Sequence, residues 1–173
     1  NVNISKATAQ EGKGGAICSA GILEYDTGTV TENQAVLSSG GAFYLESSNN
    51  TVLNGLTITN NTSGTNGGAI YGETNLSIYN SHFENNVAAG NGGALVAYGN
   101  GKQLLLMNTT MANNSANFGG GIYASGGAAL TVQNVTATDN TAVKGGFLYE
   151  TTTGTVVTLN GVTLSGNTAD EGS

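Results

Sequence analysis

One stretch decides the fold: Phe83-Glu84-Asn85-Asn86-Val87-Ala88-Ala89-Gly90-Asn91-Gly92-Gly93-Ala94-Leu95. As a template it reads apolar-x-x-Asn-x-Ala, then a short spacer, then Gly-Gly-Ala-apolar. Six Gly-Gly pairs are spaced by 26, 27, 25, 27 and 26 residues, and they begin at Gly14, Gly40, Gly67, Gly92, Gly119 and Gly145. A repeat of this length indicates a solenoid, because one such unit buries its apolar side only by stacking on its neighbours.

Aligned on these pairs, the repeats show columns of like residues. An apolar residue stands two positions after each pair: Ile17, Phe43, Ile70, Leu95, Ile122 and Leu148. A second apolar column comprises Ile4, Val30, Ile58, Phe83, Met111, Ala137 and Leu164. Three residues after it comes an Asn column, with Ala7 as the exception: Asn33, Asn61, Asn86, Asn114, Asn140 and Asn167. A small residue follows two positions later: Ala9, Ala35, Ser63, Ala88, Ala116, Ala142 and Ala169.

A third apolar element lies between these columns. It reads Leu23-x-Tyr25, Thr51-x-Leu53, Leu76-x-Ile78, Leu104-x-Leu106, Leu130-x-Val132 and Val157-x-Leu159. Two residues later stand Thr27, Gly55, Asn80, Asn108, Asn134 and Gly161, and Asn1 fits the same corner of a preceding coil. Asn and Gly tolerate the left-handed backbone region best, so this position is predicted to turn the chain. The Asn column is predicted to stack as an amide ladder between coils.

Three short strands per repeat, joined by Gly and Asn corners, predict an all-β fold. The expected architecture is a right-handed, single-stranded parallel β-helix with about 26 residues per coil and six to seven coils. The hand follows the right-handed preference of parallel crossovers. Residues 1–173 are expected to form a single domain. Coils stack ~4.8 Å apart, so the stack should be roughly 30 Å long.

The composition excludes several classes of function. Charged residues make up 9% of the chain, and the net charge is −7 with only four Lys and no Arg. This balance argues against binding to nucleic acid or to an anionic membrane surface, both of which need a cationic patch. No apolar run approaches the ~20 residues of a membrane span. The lone Cys18 leaves the redox compartment open, since it has no partner for an internal disulfide.

The opening stretch also carries a family resemblance. Phe83-Glu84-Asn85-Asn86 followed by Gly92-Gly93-Ala94-Leu95 resembles the paired Phe-x-x-Asn and Gly-Gly-Ala-apolar repeats of chlamydial polymorphic membrane proteins. Gly14-Gly15-Ala16-Ile17 and Gly67-Gly68-Ala69-Ile70 match the second half of that motif. The resemblance covers nearly the whole chain and implies a right-handed β-helical autotransporter passenger on a cell surface, with an adhesin role. The first motif departs from the pattern in the other repeats, where Ile, Val, Met, Ala or Leu replaces Phe.

The ends of the chain favour assembly. The chain starts at a corner and stops where another Gly-Gly pair is due, without a recognisable capping repeat. Uncapped coils present open strand edges that pair with other chains. We therefore expect either a slice of a longer solenoid or a subunit that stacks end to end.

Outward positions carry the candidates for function. After each Gly-Gly bend an outward column reads Cys18, Tyr44, Tyr71, Val96, Tyr123 and Tyr149. The four Tyr residues could stack on sugar rings or contact another solenoid, although ring stacking between coils already explains the row and is favoured. Cys18 is expected to be exposed.

A second outward array consists of Thr-x-Thr pairs. The pairs are Thr29/Thr31, Thr57/Thr59, Thr136/Thr138 and Thr163/Ser165, with Thr110 a half match and His82/Glu84 an interruption. Such rows resemble the ice-binding faces of β-helical antifreeze proteins. The simpler interpretation is that β-branched Thr suits an exposed strand.

Charged residues give weaker signals for chemistry. Glu46 and Glu73 occupy equivalent positions one coil apart, with carboxyls expected ~5 Å apart, near the retaining-glycosidase separation. Asp26, Asp139 and Asp170 fall at differing column positions and make no cluster. The only His, His82, pairs with Glu84 at most, and two ligands do not complete a metal site. We predict no catalytic residue, no cofactor and no metal.

Glycosylation sequons occur at eight positions: Asn3, Asn49, Asn60, Asn61, Asn75, Asn108, Asn113 and Asn134. A secreted eukaryotic chain would be a glycoprotein at these sites. The sequence as a whole predicts a secreted or cell-surface protein that is structural or adhesive and not an enzyme. Its expected partners are other copies, in filaments or lateral contacts, or host surface molecules and glycans. The alternatives are a pectin-lyase-like carbohydrate-active enzyme and, second, an ice-binding protein.

Overall fold

The structure is a computed structural model, and it describes residues 1–171 apart from the side chains of Ser48 and Asn49. This part of the chain forms strands and no helix. In chain order the strands are β1 (Val2–Ser5), β2 (Thr8–Ala9), β3 (Ile17–Ser19), β4 (Glu24–Thr31), β5 (Gln34–Ala35), β6 (Phe43–Thr59), β7 (Thr62–Ser63), β8 (Ile70–Tyr79), β9 (His82–Glu84), β10 (Val87–Ala88), β11 (Leu95–Tyr98), β12 (Gln103–Met107), β13 (Thr110–Ala112), β14 (Ser115–Phe118), β15 (Ile122–Ser125), β16 (Ala129–Gln133), β17 (Thr136–Thr138), β18 (Thr141–Lys144), β19 (Leu148–Glu150), β20 (Val156–Asn160), β21 (Thr163–Ser165) and β22 (Thr168–Glu171).

The pairings between these strands are parallel and join residues about one repeat apart, so the chain winds as a solenoid of about six coils. Each coil contributes to four rows of strands, which we number from its Gly-Gly bend. Row 1 contains β3, the start of β6, the start of β8, β11, β15 and β19. Row 2 contains the start of β4, the middle of β6, the end of β8, β12, β16 and β20. Row 3 contains β1, the end of β4, the end of β6, β9, β13, β17 and β21.

Row 4 corrects the expectation of three strands per coil. It is a separate sheet of seven strands in the order β2-β5-β7-β10-β14-β18-β22. The column of small residues lies on it, for example Ala35 paired with Ser63 and Ser63 paired with Ala88. These strands are two to four residues long, and most are too short to show the apolar alternation that marks the other rows.

The predicted apolar columns form the core. The column after the Gly-Gly pairs, the third apolar element and the column before the Asn residues each pair in register from coil to coil. One cluster of buried side chains runs along the solenoid, and its largest fully buried members include Phe43, Leu53, Phe83 and Leu106. A neighbour on each side buries every interior rung, which is why no single coil is stable alone.

Each Gly-Gly bend needs both glycines. Gly92 has φ +65°, and a Cβ built there would lie 2.4 Å from the Leu95 carbonyl oxygen. Gly93 has an ordinary φ, but a Cβ there would lie 2.1 Å from the Gly120 carbonyl oxygen of the next coil. The first glycine therefore serves the turn, and the second serves the close approach between coils.

The Asn column forms the predicted amide ladder. Each side-chain amide donates to the Oδ1 of the Asn in the next coil at 2.8–3.0 Å, along the series Asn33, Asn61, Asn86, Asn114, Asn140 and Asn167. The other hydrogen of each side-chain amide is donated to a backbone carbonyl oxygen. For example, Asn86 Nδ2 donates to the Ile58 carbonyl at 2.9 Å. The Oδ1 also accepts a backbone N–H from the preceding coil. Asn33, Asn61, Asn86, Asn114 and Asn140 are fully buried, and this network satisfies all four bonding positions of the interior amides.

Left-handed residues turn the chain at two corners. The predicted corner is confirmed, with positive φ at Thr27, Gly55, Asn80, Asn108, Asn134 and Gly161. A second corner with positive φ lies directly before the Asn column, and residues other than Asn and Gly also occur there. Its members are Lys6, Glu32, Asn60, Asn85, Asn113, Asp139 and Gly166. The hydrogen bonds of the buried ladder fix the residue that follows, which stabilises this backbone conformation whatever the side chain.

Candidate functional surface along the tyrosine row

Row 1 presents the tyrosine column on the outside of the solenoid. Side chains alternate across a strand, so the buried Phe43, Ile70 and Leu95 are each followed by an outward residue. Register places Cys18, Tyr44, Tyr71, Val96, Tyr123 and Tyr149 in one line, each one coil from the next. Cys18 is exposed, as expected. We call this line the tyrosine row.

The rings of Tyr44 and Tyr71 stack on each other. Their centroids are 4.9 Å apart, which is one coil spacing, and the angle between the ring planes is 8°. The Lys13 Nζ lies 4.2 Å from the Tyr44 ring centroid and 3.0 Å from the Glu46 Oε2. Tyr44 is therefore covered on both ring faces and is only 6% exposed. Tyr44 and Tyr71 thus stack between neighbouring coils, as the structural interpretation of the row expects.

The charge state of this cluster follows from its surroundings. Burial raises the pKa of the Tyr71 phenol to about 12, and the neighbouring Tyr44 and Glu73 reinforce the shift. Hydrogen bonding to Tyr44 and Glu46 raises the pKa of the Lys13 ammonium. At neutral pH the cluster therefore holds a neutral Tyr71 phenol beside a charged lysine.

The row continues in the later coils with a second aromatic group. Tyr123 and Tyr149 stack with centroids 6.2 Å apart, and Phe118 stacks on Tyr149 at 5.3 Å. The Tyr123 hydroxyl lies 3.0 Å from the Thr151 Oγ1. Phe118 was not anticipated from the repeat, because it lies in the spacer before Gly119, where no column position is defined.

Val96, which is only 2% exposed, separates the two aromatic groups and leaves a gap in the line of Tyr residues. Val96 occupies the position between Tyr71 and Tyr123, and it pairs with both. Tyr98, two residues further along the same strand face, lies offset from Tyr71 with a centroid distance of 6.3 Å. A cavity of about 140 Å³ lies at the gap, lined by these four residues together with Asn66, Asn91 and Ser125. Tyr98 could have been found from the sequence, since it follows Val96 with the period-two spacing of a strand.

Glu46 and Glu73 are register partners, as the repeat predicts. They do not lie in an exposed loop, because β6 and β8 each run unbroken from row 1 into row 2 in these coils. Glu46 bonds Lys13, and among residues 1–171 no group of three or more His, Cys, Asp or Glu could hold a metal ion. Asp26 accepts a hydrogen bond from Asn54 at 2.6 Å in row 2. Asp139 lies at a row 3 corner and Asp170 in row 4.

The Thr residues of row 3 align on the outside of the solenoid. Thr29 pairs with Thr57, Thr110 with Thr136, and Thr136 with Thr163. His82 and Glu84 interrupt both lines of Thr, and the His82 Nε2 lies 3.4 Å from the Glu84 Oε2. The His82 Nδ1 contacts the Thr110 hydroxyl.

The sequons fall into distinct environments. Asn61 is a correction: its amide is fully buried in the ladder with both hydrogens donated, so an attached glycan is incompatible with the fold. Asn108 and Asn134 are exposed but belong to a surface ladder of amides at the corner before row 3. The side chain of Asn49 lies outside the described residues. Asn3, Asn60 and Asn113 are exposed, and Asn75 is partly so.

Comparison with known proteins decides the family. The family model described as "Right handed beta helix region" matches residues 1–170. The chain belongs to the right-handed β-helix family. Comparison with curated proteins and with solved structures finds no significant match.

The right-handed β-helix explains why the conserved-looking repeat residues are structural. Phe83 lies in the core, Asn86 is a ladder rung, and Gly92-Gly93 forms the bend. Outward positions of a β-helix are free of these constraints, so the tyrosine row and its gap are the candidate functional surface. The described residues contain no helix that is long and apolar enough to cross a membrane.

Proposed function

We propose that this β-helix is an extracellular, non-catalytic solenoid that acts as an adhesive or structural component of a cell surface. The observation that supports it best is the tyrosine row: two groups of stacked aromatic rings on one side of a scaffold with a continuous hydrophobic core. Tyr side chains suit such contacts, because they combine a large apolar area with a polar tip. The resemblance of the Phe-x-x-Asn and Gly-Gly-Ala repeats to those of chlamydial surface proteins supports the same role, as a passenger with adhesin function.

The partners in this proposal are surface glycans and further copies of the chain. Glycan rings and Tyr rings stack through apolar faces, whereas contacts between copies bring two rows of rings together. The net charge of −7 disfavours anionic partners and leaves neutral surfaces as the better target.

The test compares two faces of the same molecule. Binding of the purified protein is measured on glycan-coated beads and on cultured eukaryotic cells. Its assembly is followed by sedimentation and electron microscopy. The double variant Tyr71→Ala with Tyr123→Ala should lose binding or assembly. The matched variant Thr57→Ala with Thr136→Ala on row 3 should retain both. Equal behaviour of the two variants, or a wild type that neither binds nor assembles, contradicts the proposal.

Two alternatives have their own tests. The register pairing of Glu46 with Glu73 supports a carbohydrate-active enzyme, which predicts cleavage of a polysaccharide that is lost in Glu46→Gln. The alignment of Thr57 with Thr29 and of Thr136 with Thr163 supports ice binding, which predicts thermal hysteresis that is lost in Thr136→Tyr. A null result in either assay removes that alternative.

A further inference from the structure

Asn-Gly dipeptides are the positions of this chain that are chemically least stable. In such a pair the backbone nitrogen of the glycine can attack the side-chain amide carbon of the asparagine, and glycine hinders this attack least because it has no Cβ. The nitrogen must first lose its proton and then approach the side chain, so a fold that holds either group slows the reaction. Five such pairs occur, and they begin at Asn54, Asn66, Asn91, Asn100 and Asn160.

Two of the pairs lie at the Gly-Gly bends, where the attacking nitrogen is held. The Gly67 N–H donates to the Asn91 carbonyl, and the Gly92 N–H donates to the Phe118 carbonyl, each at 2.8 Å. Both glycines are buried, and both bonds run to the next coil. The pairs that begin at Asn66 and Asn91 are therefore protected by the stacking of the coils.

Two further pairs are held by row 2. The Asn54 side chain is engaged at both ends, since its Nδ2 donates to the Asp26 Oδ1 at 2.6 Å and its Oδ1 accepts from the Asn80 Nδ2 at 2.9 Å. Asn160 is the last residue of β20, and its backbone pairs in register with Gln133. Strand pairing fixes the backbone of Asn160, which hinders the bend that ring closure requires.

The fifth pair, Asn100-Gly101, is free of these constraints. Both residues are exposed and lie in the turn between β11 and β12. Among residues 1–171, the Asn100 side chain and the Gly101 N–H have no hydrogen-bond partner. A Cβ built at Gly101 would meet nothing within 4 Å, so the space beside this residue is open.

We propose that Asn100 is a site of spontaneous deamidation and that the fold selects it over the other four Asn-Gly pairs. The Gly101 nitrogen bonds to the Asn100 Cγ, and the Nδ2 group leaves as ammonia with the proton of that nitrogen, which closes a succinimide ring. Water then opens the ring. Attack of water on Cγ gives aspartate, whereas attack on the backbone carbonyl carbon gives isoaspartate, whose main chain runs through Cγ. The reaction consumes one water and releases one ammonia, with no change of oxidation state.

The products change the surface beside the tyrosine row. Asn100 follows Tyr98 by two residues, so aspartate and isoaspartate each place a new negative charge near this exposed ring. Isoaspartate also adds a carbon to the main chain of the turn, which the Lys102 N–H closes by donating to the Gly99 carbonyl at 3.1 Å. The Lys102 Nζ reaches back to the Ser47 carbonyl at 3.0 Å, so we expect the isoaspartate form to loosen this contact between coils.

Peptide mapping by mass spectrometry tests the assignment. Folded protein is incubated at pH 8 in water enriched in oxygen-18, and each Asn-Gly peptide is followed for loss of ammonia and uptake of the label. We expect Asn100 to react at least about tenfold faster than the other four, because structure protects those. Isoaspartate at this position should accept a methyl group from protein isoaspartyl methyltransferase. Asn100→Gln should abolish the reaction at position 100, because the larger ring closes far more slowly.

The matched control is the same protein unfolded in guanidinium chloride. All five pairs should then react at similar rates, because each contains the same two residues. The inference is wrong if Asn100 is not the fastest pair in the folded protein, or if it leads by the same factor after unfolding, since the fold would then not select it. This experiment needs no glycan and no cell, so its failure leaves the proposed adhesive function standing, and a failure of adhesion leaves the assignment of Asn100 standing.

Discussion

The Asn86→Ala substitution tests what holds the coils together. Asn86 is a central rung of the buried ladder, and its side chain makes four hydrogen bonds. It accepts from the Asn61 backbone N–H and the Asn61 amide, each at 3.0 Å, and it donates to the Ile58 carbonyl and the Asn114 Oδ1, each at 2.9 Å. Alanine keeps the backbone and removes all four bonds at once.

The expected loss of stability is large because the groups that Asn86 bonds stay buried without a replacement partner. Two donors on Asn61 lose their acceptor, and each unsatisfied buried donor costs about 1–3 kcal/mol. The Asn114 Oδ1 still accepts the Asn86 backbone N–H at 3.0 Å, so it adds little. A water that enters the vacated space would recover part of the cost. We expect a destabilisation of about 3–5 kcal/mol, close to the low end of the total stability of many domains.

The assay is urea unfolding followed by circular dichroism. With a denaturant slope of about 2 kcal/mol per molar, the midpoint should fall by roughly 1.5–2.5 M. Asn108→Gly is the matched control, since Asn108 is a rung of the exposed ladder at a left-handed corner where Gly55 and Gly161 stand in other coils. Its loss should stay below about 1 kcal/mol, because water replaces its bonds. If the two variants lower the midpoint equally, the buried ladder is not what stabilises the stack.

Three further predictions address the bend, the core and the tyrosine row. Gly93→Ala should cost more than about 3 kcal/mol in urea unfolding or prevent folding, since its Cβ meets the backbone of the next coil, whereas Gly21→Ala, with nothing within 4 Å, should be neutral. Thr51→Val should raise stability by about 1 kcal/mol, because the buried Thr51 hydroxyl has no hydrogen-bond partner and register places it opposite Leu76; an unchanged melting temperature would count against this. Burial raises the pKa of Tyr71 in the folded protein from 10.0 to about 12. The contribution of the neutral phenol to stability is therefore complete below pH 10 and is lost as the pH rises through 12. Tyr71→Phe should show a smaller fall in urea midpoint between pH 9 and 11.5 than wild type.

Much of the fold could be predicted because its strongest constraints repeat. Three requirements recur at fixed spacing. A Gly is needed where the next coil comes close, an Asn where the side chain bonds the Asn of the next coil, and an apolar side chain where it packs on the next coil. Each imposes the same residue type on every coil, so a single sequence contains its own alignment. The strands of row 4 were not predicted, because strands such as Thr62–Ser63 and Val87–Ala88 are too short to show a hydrophobic period.

The candidate surface was less predictable for the same reason. The burial of Tyr44 depends on Lys13, which lies in a spacer 31 residues earlier, and no column defines where a spacer side chain points. The contact of Phe118 with Tyr149 arises in the same way. Spacers differ between coils in length and composition, so their contacts follow from three-dimensional packing and not from the repeat.

This contrast between repeated and variable positions indicates where function lies. The buried ladder and the bends satisfy the backbone whatever the outward side chains are, so the fold does not require Val at position 96. Tyr98 of the same coil stacks on Tyr71, with ring centroids 6.3 Å apart, so the row keeps an aromatic contact at this level although Val stands at position 96. His82 and Glu84 likewise stand where the other coils place Thr, Ser, Ala or Asn. Val96 is only 2% exposed, so its neighbours already cover it, whereas the His82 and Glu84 side chains are each 39% exposed. The outward positions that vary between coils and stay exposed are therefore where a functional constraint can act without cost to the stability of the stack.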